Sequence, residues 1–192
     1  VSFAGAIPEI SQKGDKIELL CFATEVAQLS LTLNGKEVAT AEGTEITYTH
    51  LLDTEGDYVF TFTATKDDEI KATTIQTCVV ATPTQAKRPE GIDMGIYYDD
   101  NDPTKVTLAT YAASKTAPAQ HVFVVGDFND WAISNAYQMK QDGNYFWMEI
   151  KGLNPCQEYA MQYVVVRADG TIKKISDLYS EQLQCTHSKP SY

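Results

Sequence analysis

The chain has 192 residues, 43% of them hydrophobic and 21% charged, with a formal net charge of −11. That length admits one large or two small domains with sizeable cores, and no run of about 18 apolar residues is present to span a bilayer. The acidity argues against nucleic acid and anionic lipid surfaces as partners, because both present phosphate.

The charge is uneven. The first 86 residues hold 5 basic and 13 acidic side chains, a net of −8, and the rest hold 10 and 13, a net of −3. Neither part carries a basic patch. The chain opens at Val1 with no leader pattern, so any signal peptide is expected to have been removed or never supplied.

In chain order, the segments 16–26, 27–35, 44–51, 57–66 and 71–81 alternate apolar and polar residues with period two. They are rich in Val, Ile, Thr, Tyr and Phe, and turn residues separate them, so they read as strands. Asn34-Gly35 is a strong hairpin signal. These short, closely spaced strands predict an Ig-like β-sandwich over residues 1–83. Residues 84–91, "TQAKRPEG", lack apolar periodicity and read as an extended linker.

The strand pattern resumes over 92–100, 105–113, 121–128, 136–141, 145–153 and 158–170. No segment sustains a helical apolar stripe over three turns. The expectation is an all-β chain with a second sandwich over 92–184 and a loose tail over 185–192. Four cysteines, Cys21, Cys78, Cys156 and Cys185, fall two in each half. One disulfide per half is conceivable. Equally, Cys21 and Cys78 lie in apolar strand patterns where a thiol serves as a small hydrophobe.

Enzyme signatures are missing. His50, His121 and His187 are far apart, and no nucleophile elbow, zinc motif or phosphate loop occurs. The acidic loop 98–104, "YDDNDPT", lacks the glycine and distal glutamate of a calcium loop and reads as turn chemistry. No cofactor or metal is expected.

The aromatics carry more. "GDFNDW" (126–131) ends a strand, and "GNYFWMEI" (143–150) opens another. Alternation puts Tyr145 and Trp147 on one face of that strand, with Phe146 and Met148 on the other. Sugar rings are bound by stacking on aromatic rings with amides or charges at the hydroxyls. Trp131, with Asn129, Asp130 and Gln162, has that composition. The competing reading is that Trp131 and Trp147 plug the end of the sandwich.

From about residue 88 to 180 the chain resembles the family 48 carbohydrate-binding modules. "VTLATYA" (106–112), the strand into "GDFNDW", the Gly-Asn turn before "YFWMEI" and "EYAMQYVV" (158–165) carry the likeness. Residues 97–112 and "ISDLYSEQLQ" (175–184) look like the versions in amylase-like enzymes of gut Bacteroidetes, where the latter resembles the hand-over to a catalytic barrel. The resemblance implies that Trp131 stacks on α-glucan and that Gln162 stands where sensing members place a sugar-contacting lysine. A second stacking tryptophan would follow residues 167–170, and Thr171-Ile172 stand there instead.

These readings imply two tandem β-sandwiches, Ig-like and then family-48-like, with Asn129, Trp131, Trp147 and Gln162 as candidate carbohydrate-binding residues. A (β/α)₈ barrel needs ~200 residues or more, so the chain is expected to hold no enzyme of its own. It is expected to be a monomer and the non-catalytic part of a periplasmic, cell-surface or secreted α-amylase-family hydrolase. Its expected partners are an α-glucan and the catalytic domain of the full-length protein. The alternative is a structural module that positions a barrel or an esterase domain.

Overall fold

The computed structural model describes residues 1–175; residues 176–192, which include the expected tail, Cys185 and His187, lie outside the described residues. The chain divides into two compact units, Val1–Ala81 and Thr82–Tyr192. Both are built from mainly antiparallel sheets, and the fold is all-β.

The first unit contains β1 (Ser2–Phe3), β2 (Ile10–Ser11), β3 (Lys16–Leu33), β4 (Lys36–Leu51), β5 (Gly56–Lys66) and β6 (Glu69–Val80). Its sheet runs β1-β3-β5-β6-β2, with β4 along β3, and only the β2–β6 pair is parallel. The segments expected as separate strands, 16–26 and 27–35, are one long strand. Its pairing with β4 shifts register twice, between Phe22 and Ala27 and between Leu31 and Thr32. Alternate residues Ile17, Leu19, Cys21, Leu29 and Leu31 join Phe60 and Phe62 in one buried cluster, as period-two burial requires. At the hairpin, Asn34 (φ 50) and Gly35 (φ 81) supply the two positive φ angles that match strand twist. The Asn34 side chain accepts from Val59 N–H at 2.8 Å and donates to the Asp57 carbonyl at 3.0 Å, tying the turn to β5.

The second unit contains β7 (Gly95–Tyr98), β8 (Val106–Tyr111), β9 (Ala119–Gly126), β10 (Lys140–Asp142), β11 (Tyr145–Ile150), β12 (Met161–Arg167) and β13 (Ile172–Ile175). One sheet is ordered β10-β11-β8-β7 and the other β13-β12-β9. Leu108, Phe146 and Met148 from the first meet Val122, Val124 and Tyr163 from the second in a common cluster, which makes a sandwich. Two expectations change. Residues 136–141 are not one strand, because Asn135–Tyr137 form a 3-10 turn before the short β10. β13 escapes the apolar pattern because Lys173 and Lys174 form its centre.

Residues 84–88 are fastened to the open edge of β10. Gln141 N–H donates to the Thr84 carbonyl at 2.9 Å, and Ala86 N–H donates to the Gln141 carbonyl at 3.0 Å. An edge strand presents unpaired amides and carbonyls, and this segment supplies partners for them. Arg88 donates through its backbone N–H (3.2 Å) and its Nε (3.0 Å) to Asp142, and its guanidinium lies 3.5 Å over the Tyr145 ring. These bonds hold the Asp142 carboxyl below its ordinary range, the Arg88 backbone N–H first and the guanidinium second.

The cysteines split differently from one bridge per half. Cys21 and Cys78 are free and fully buried. They belong to β3 and β6, which are not neighbours in the sheet. Burial pushes the Cys21 thiol up to about 11 and raises that of Cys78 as well, so both act as inert apolar residues. Cys156, left-handed at φ 64 in the loop between β11 and β12, is disulfide-bonded.

Candidate functional site

The candidate site is the turn that ends β9. Gly126 is extended, so its φ does not require glycine; contact does. A Cβ there would stand 2.4 Å from the Ala160 carbonyl oxygen and 2.9 Å from the Phe128 ring. After it the chain makes a single 3-10 turn, Asp127–Asn129, and then two left-handed residues, Asp130 (φ 54) and Trp131 (φ 57). Left-handed backbone costs an L-residue about 1–2 kcal/mol, so the turn needs fastening.

Three sets of bonds provide it. Asn129 accepts from Gly126 N–H at 2.9 Å and donates to the Val124 carbonyl at 2.9 Å, closing the turn on its own strand. Trp131 N–H donates to the Gly126 carbonyl at 3.0 Å. Asp127 bridges outward: one carboxylate oxygen accepts from the Trp131 indole N–H at 3.0 Å, and the other accepts from Ala160 N–H at 2.8 Å. Phe128 anchors the turn from below, its ring 5.4 Å from Tyr137 and 6.3 Å from Tyr159.

The outcome is an indole whose polar edge is satisfied and whose surface is 40% exposed. An aromatic ring held by a hydrogen bond and open to solvent can be stacked upon with little ordering cost. Asn129 is spent on the turn, so its part is to shape the loop. Gln162 lies half-buried on β12 opposite Val125, one residue from the pair Met161–Gly126 where the turn begins. Asn129, Trp131 and Gln162 therefore share one end of the β9–β12 pair.

Trp147 does not join them. It lies on β11 of the other sheet, 7% exposed. Its indole N–H donates to the Ala86 carbonyl at 2.9 Å, and the Lys140 ammonium sits 4.6 Å above its ring. The fastened segment 84–88 thus covers the ring that alternation places on the outer face. At the position where the resemblance would put a second platform, Ile172 is exposed without an aromatic ring.

Asp127 is the site residue that sequence reasoning missed. It is part of the "GDFNDW" signature, yet its role depends on Ala160, 33 residues further along, and so on the pairing of β9 with β12. Elsewhere, the acidic loop spends its carboxylates internally. Asp99 accepts from Asn101 N–H and pairs with Lys105, and Asp102 accepts from the Thr104 hydroxyl and N–H; both are held below the ordinary carboxylate range by these bonds. Among the described residues no group of three or more His, Cys, Asp or Glu could hold a metal ion. His50 shares a 2.9 Å hydrogen bond with the Tyr48 hydroxyl, and burial lowers the His121 pKa.

No curated protein matches the chain. Among solved structures, it is similar to the fibronectin(III)-like modules of Clostridium thermocellum CbhA, at 10% identity and a TM-score of 0.35, covering 100% of this chain and 99% of that one. It is also similar to a pullulanase from Anoxybacillus sp. LM18-11 complexed with maltotriose, at 13% identity and a TM-score of 0.36. There it covers 100% of this chain but 29% of the pullulanase. A GBS pullulanase SAP in complex with maltotetraose aligns at 10% identity and a TM-score of 0.35, over 97% of this chain and 27% of that one. Residues 93–180, somewhat less than half of the chain, match the family model described as Carbohydrate-binding module 48 (Isoamylase N-terminal domain), which makes the second unit similar to a carbohydrate-binding module.

Proposed function

We propose that the chain is a non-catalytic accessory region of an α-amylase-family glycoside hydrolase, and that its second unit binds α-glucan weakly through Trp131. The observation that carries this reading is the exposed indole fixed by its N–H bond to Asp127 on the strained turn at the end of β9. Strain held at a surface turn by several side-chain bonds is a recurrent mark of function. The module match over residues 93–180 supports the ligand class.

One stacking ring contributes about 1 kcal/mol beyond area burial. With a few hydrogen bonds to sugar hydroxyls, the total reaches an affinity on the order of millimolar. The protein then acts as a monomer in the periplasm or at the cell surface, adding weak glucan affinity to a hydrolase domain. Titration with maltoheptaose, followed by calorimetry and tryptophan fluorescence, tests this. Saturable binding by the wild type that is lost in Trp131→Ala is expected. A folded wild-type chain that does not bind overturns it.

A second reading is favoured by the covering of Trp147 and the exposed Ile172, which leave a single platform. In it the Trp131 face packs on a catalytic barrel, or on an esterase domain, and positions it.

A further inference from the structure

The sheet β10-β11-β8-β7 turns Leu108, Phe146 and Met148 into the core. Period two therefore sends Tyr111 and Tyr145 to its outer face. With Asp142 they stand in one cross-strand row, Asp142 on β10, Tyr145 on β11 and Tyr111 on β8. Tyr111 is 50% exposed, more than Trp131 at 40%. That exposure is not looseness. The Tyr111 ring meets Tyr145 edge-on, with centroids 4.9 Å apart and planes at 62°. Tyr145 is held in turn by the Arg88 guanidinium, 3.5 Å over its ring. A ring restrained in an aromatic pair and open to solvent is stacked upon at little ordering cost.

Polar groups border the ring, and their charge selects the ligand. Both Arg88 bonds to Asp142 fall on one carboxylate oxygen, Oδ2, which leaves Oδ1 to accept from outside. The hydroxyls of Tyr111 and Tyr145 can each donate or accept. Arg88 faces two carboxylates, Asp142 at 3.0 Å and Asp93 at 3.7 Å, so it offers an anionic ligand no net positive charge. The overall charge of −11 repels an anion further. A neutral ligand with an apolar C–H face and a rim of hydroxyls suits this row, and a hexose ring is such a ligand. Three strands span about 10 Å, so a ligand touching both Tyr111 and Asp142 needs more than one ring.

We propose that Tyr111 is a second sugar-stacking platform, on the sheet that does not carry the Trp131 turn. It takes one ring of an α-glucan segment of two or more units, while Asp142 Oδ1 accepts from a hydroxyl of the next. The choice of α-glucan rests on the carbohydrate reading given above, but the site itself uses nothing of the Trp131 turn. Two weak sites on different sheets favour a long glucan over a short one, because a chain held at one site is concentrated at the other.

The test maps amide shifts by NMR in the full chain, isotopically labelled and titrated with maltoheptaose. Saturable shifts at residues 109–112 and 142–145 are expected in the wild type, and they should persist in Trp131→Ala. Tyr111→Ala should weaken the binding read at those amides roughly 10-fold, the effect of removing one stacked ring. Tyr111→Phe keeps the ring and should cost less than about 3-fold. Shifts confined to residues 126–131 overturn the proposal and leave the Trp131 reading standing. Shifts confined to 109–112 and 142–145 support the proposal and remove the Trp131 reading. A folded chain with no shifts at either place overturns both. Unweakened binding in Tyr111→Ala, or a loss in Tyr111→Phe as large as in Tyr111→Ala, overturns stacking on Tyr111. If Tyr111→Ala does not fold, the wild-type map and Tyr111→Phe still decide.

Discussion

Replacing Asp127 by alanine removes two hydrogen bonds, one from the Trp131 indole at 3.0 Å and one from Ala160 N–H at 2.8 Å. The carboxylate is exposed, so water replaces part of each bond, and a net loss of about 1–2 kcal/mol is expected. The second unit, taken as a domain of about 100 residues, should then melt about 5–15 °C lower. The indole loses its tether at the same time. Trp131 is exposed and Trp147 buried, so acrylamide quenching of the fluorescence reports on Trp131. It should increase in Asp127→Ala. If the turn binds glucan, ordering a freed indole should weaken affinity by roughly 2- to 10-fold. Asp127→Asn keeps one acceptor oxygen and should fall between the two. An Asp127→Ala chain with unchanged Tm and unchanged quenching would mean that Asn129 and the backbone bonds hold the turn without the carboxylate.

Gly126→Ala should destabilise by about 1–3 kcal/mol through overpacking, since the added methyl meets the Ala160 carbonyl at 2.4 Å; urea unfolding measures this, and a neutral result would show that β9 and the 160 loop part easily. The Asp142 carboxyl is depressed by the Arg88 backbone N–H and then by its guanidinium. Its stabilisation is therefore fully present above the unfolded carboxylate range and lost as pH falls through the lower folded value. Thermal melts across the acid range should show a shallower decline in Asp142→Asn than in the wild type, and parallel curves would refute the assignment.

Where local pattern decides structure, the sequence was informative. Alternation through 57–66 placed Phe60 and Phe62 in the core because a strand has period two, and Asn34-Gly35 closed its hairpin because few other pairs accept two positive φ angles. The "GDFNDW" turn belongs to the same class, whereas its residue types left open whether Trp131 is exposed or plugs the end of the sandwich. What was not legible depends on distant partners. Trp147 looks as available as Trp131 along its strand, and only the Ala86 carbonyl, 61 residues earlier, removes it. β13 is held by pairing to β12 although Lys173 and Lys174 give it no apolar signature. The fusion of 16–26 with 27–35 likewise follows from β4 running along both.

The segment 84–88 bears on where this protein can be cut. A fragment begun at the family boundary, residue 93, would strip the partner chain from β10, leave Asp142 and Tyr145 without Arg88, and open Trp147 to water. It would carry a bare strand edge beside an apolar patch, the combination that drives sheet-to-sheet aggregation. Failure of such a fragment would say nothing about glucan recognition. The smallest piece on which recognition can be judged starts at Thr82, before the residues that complete the edge.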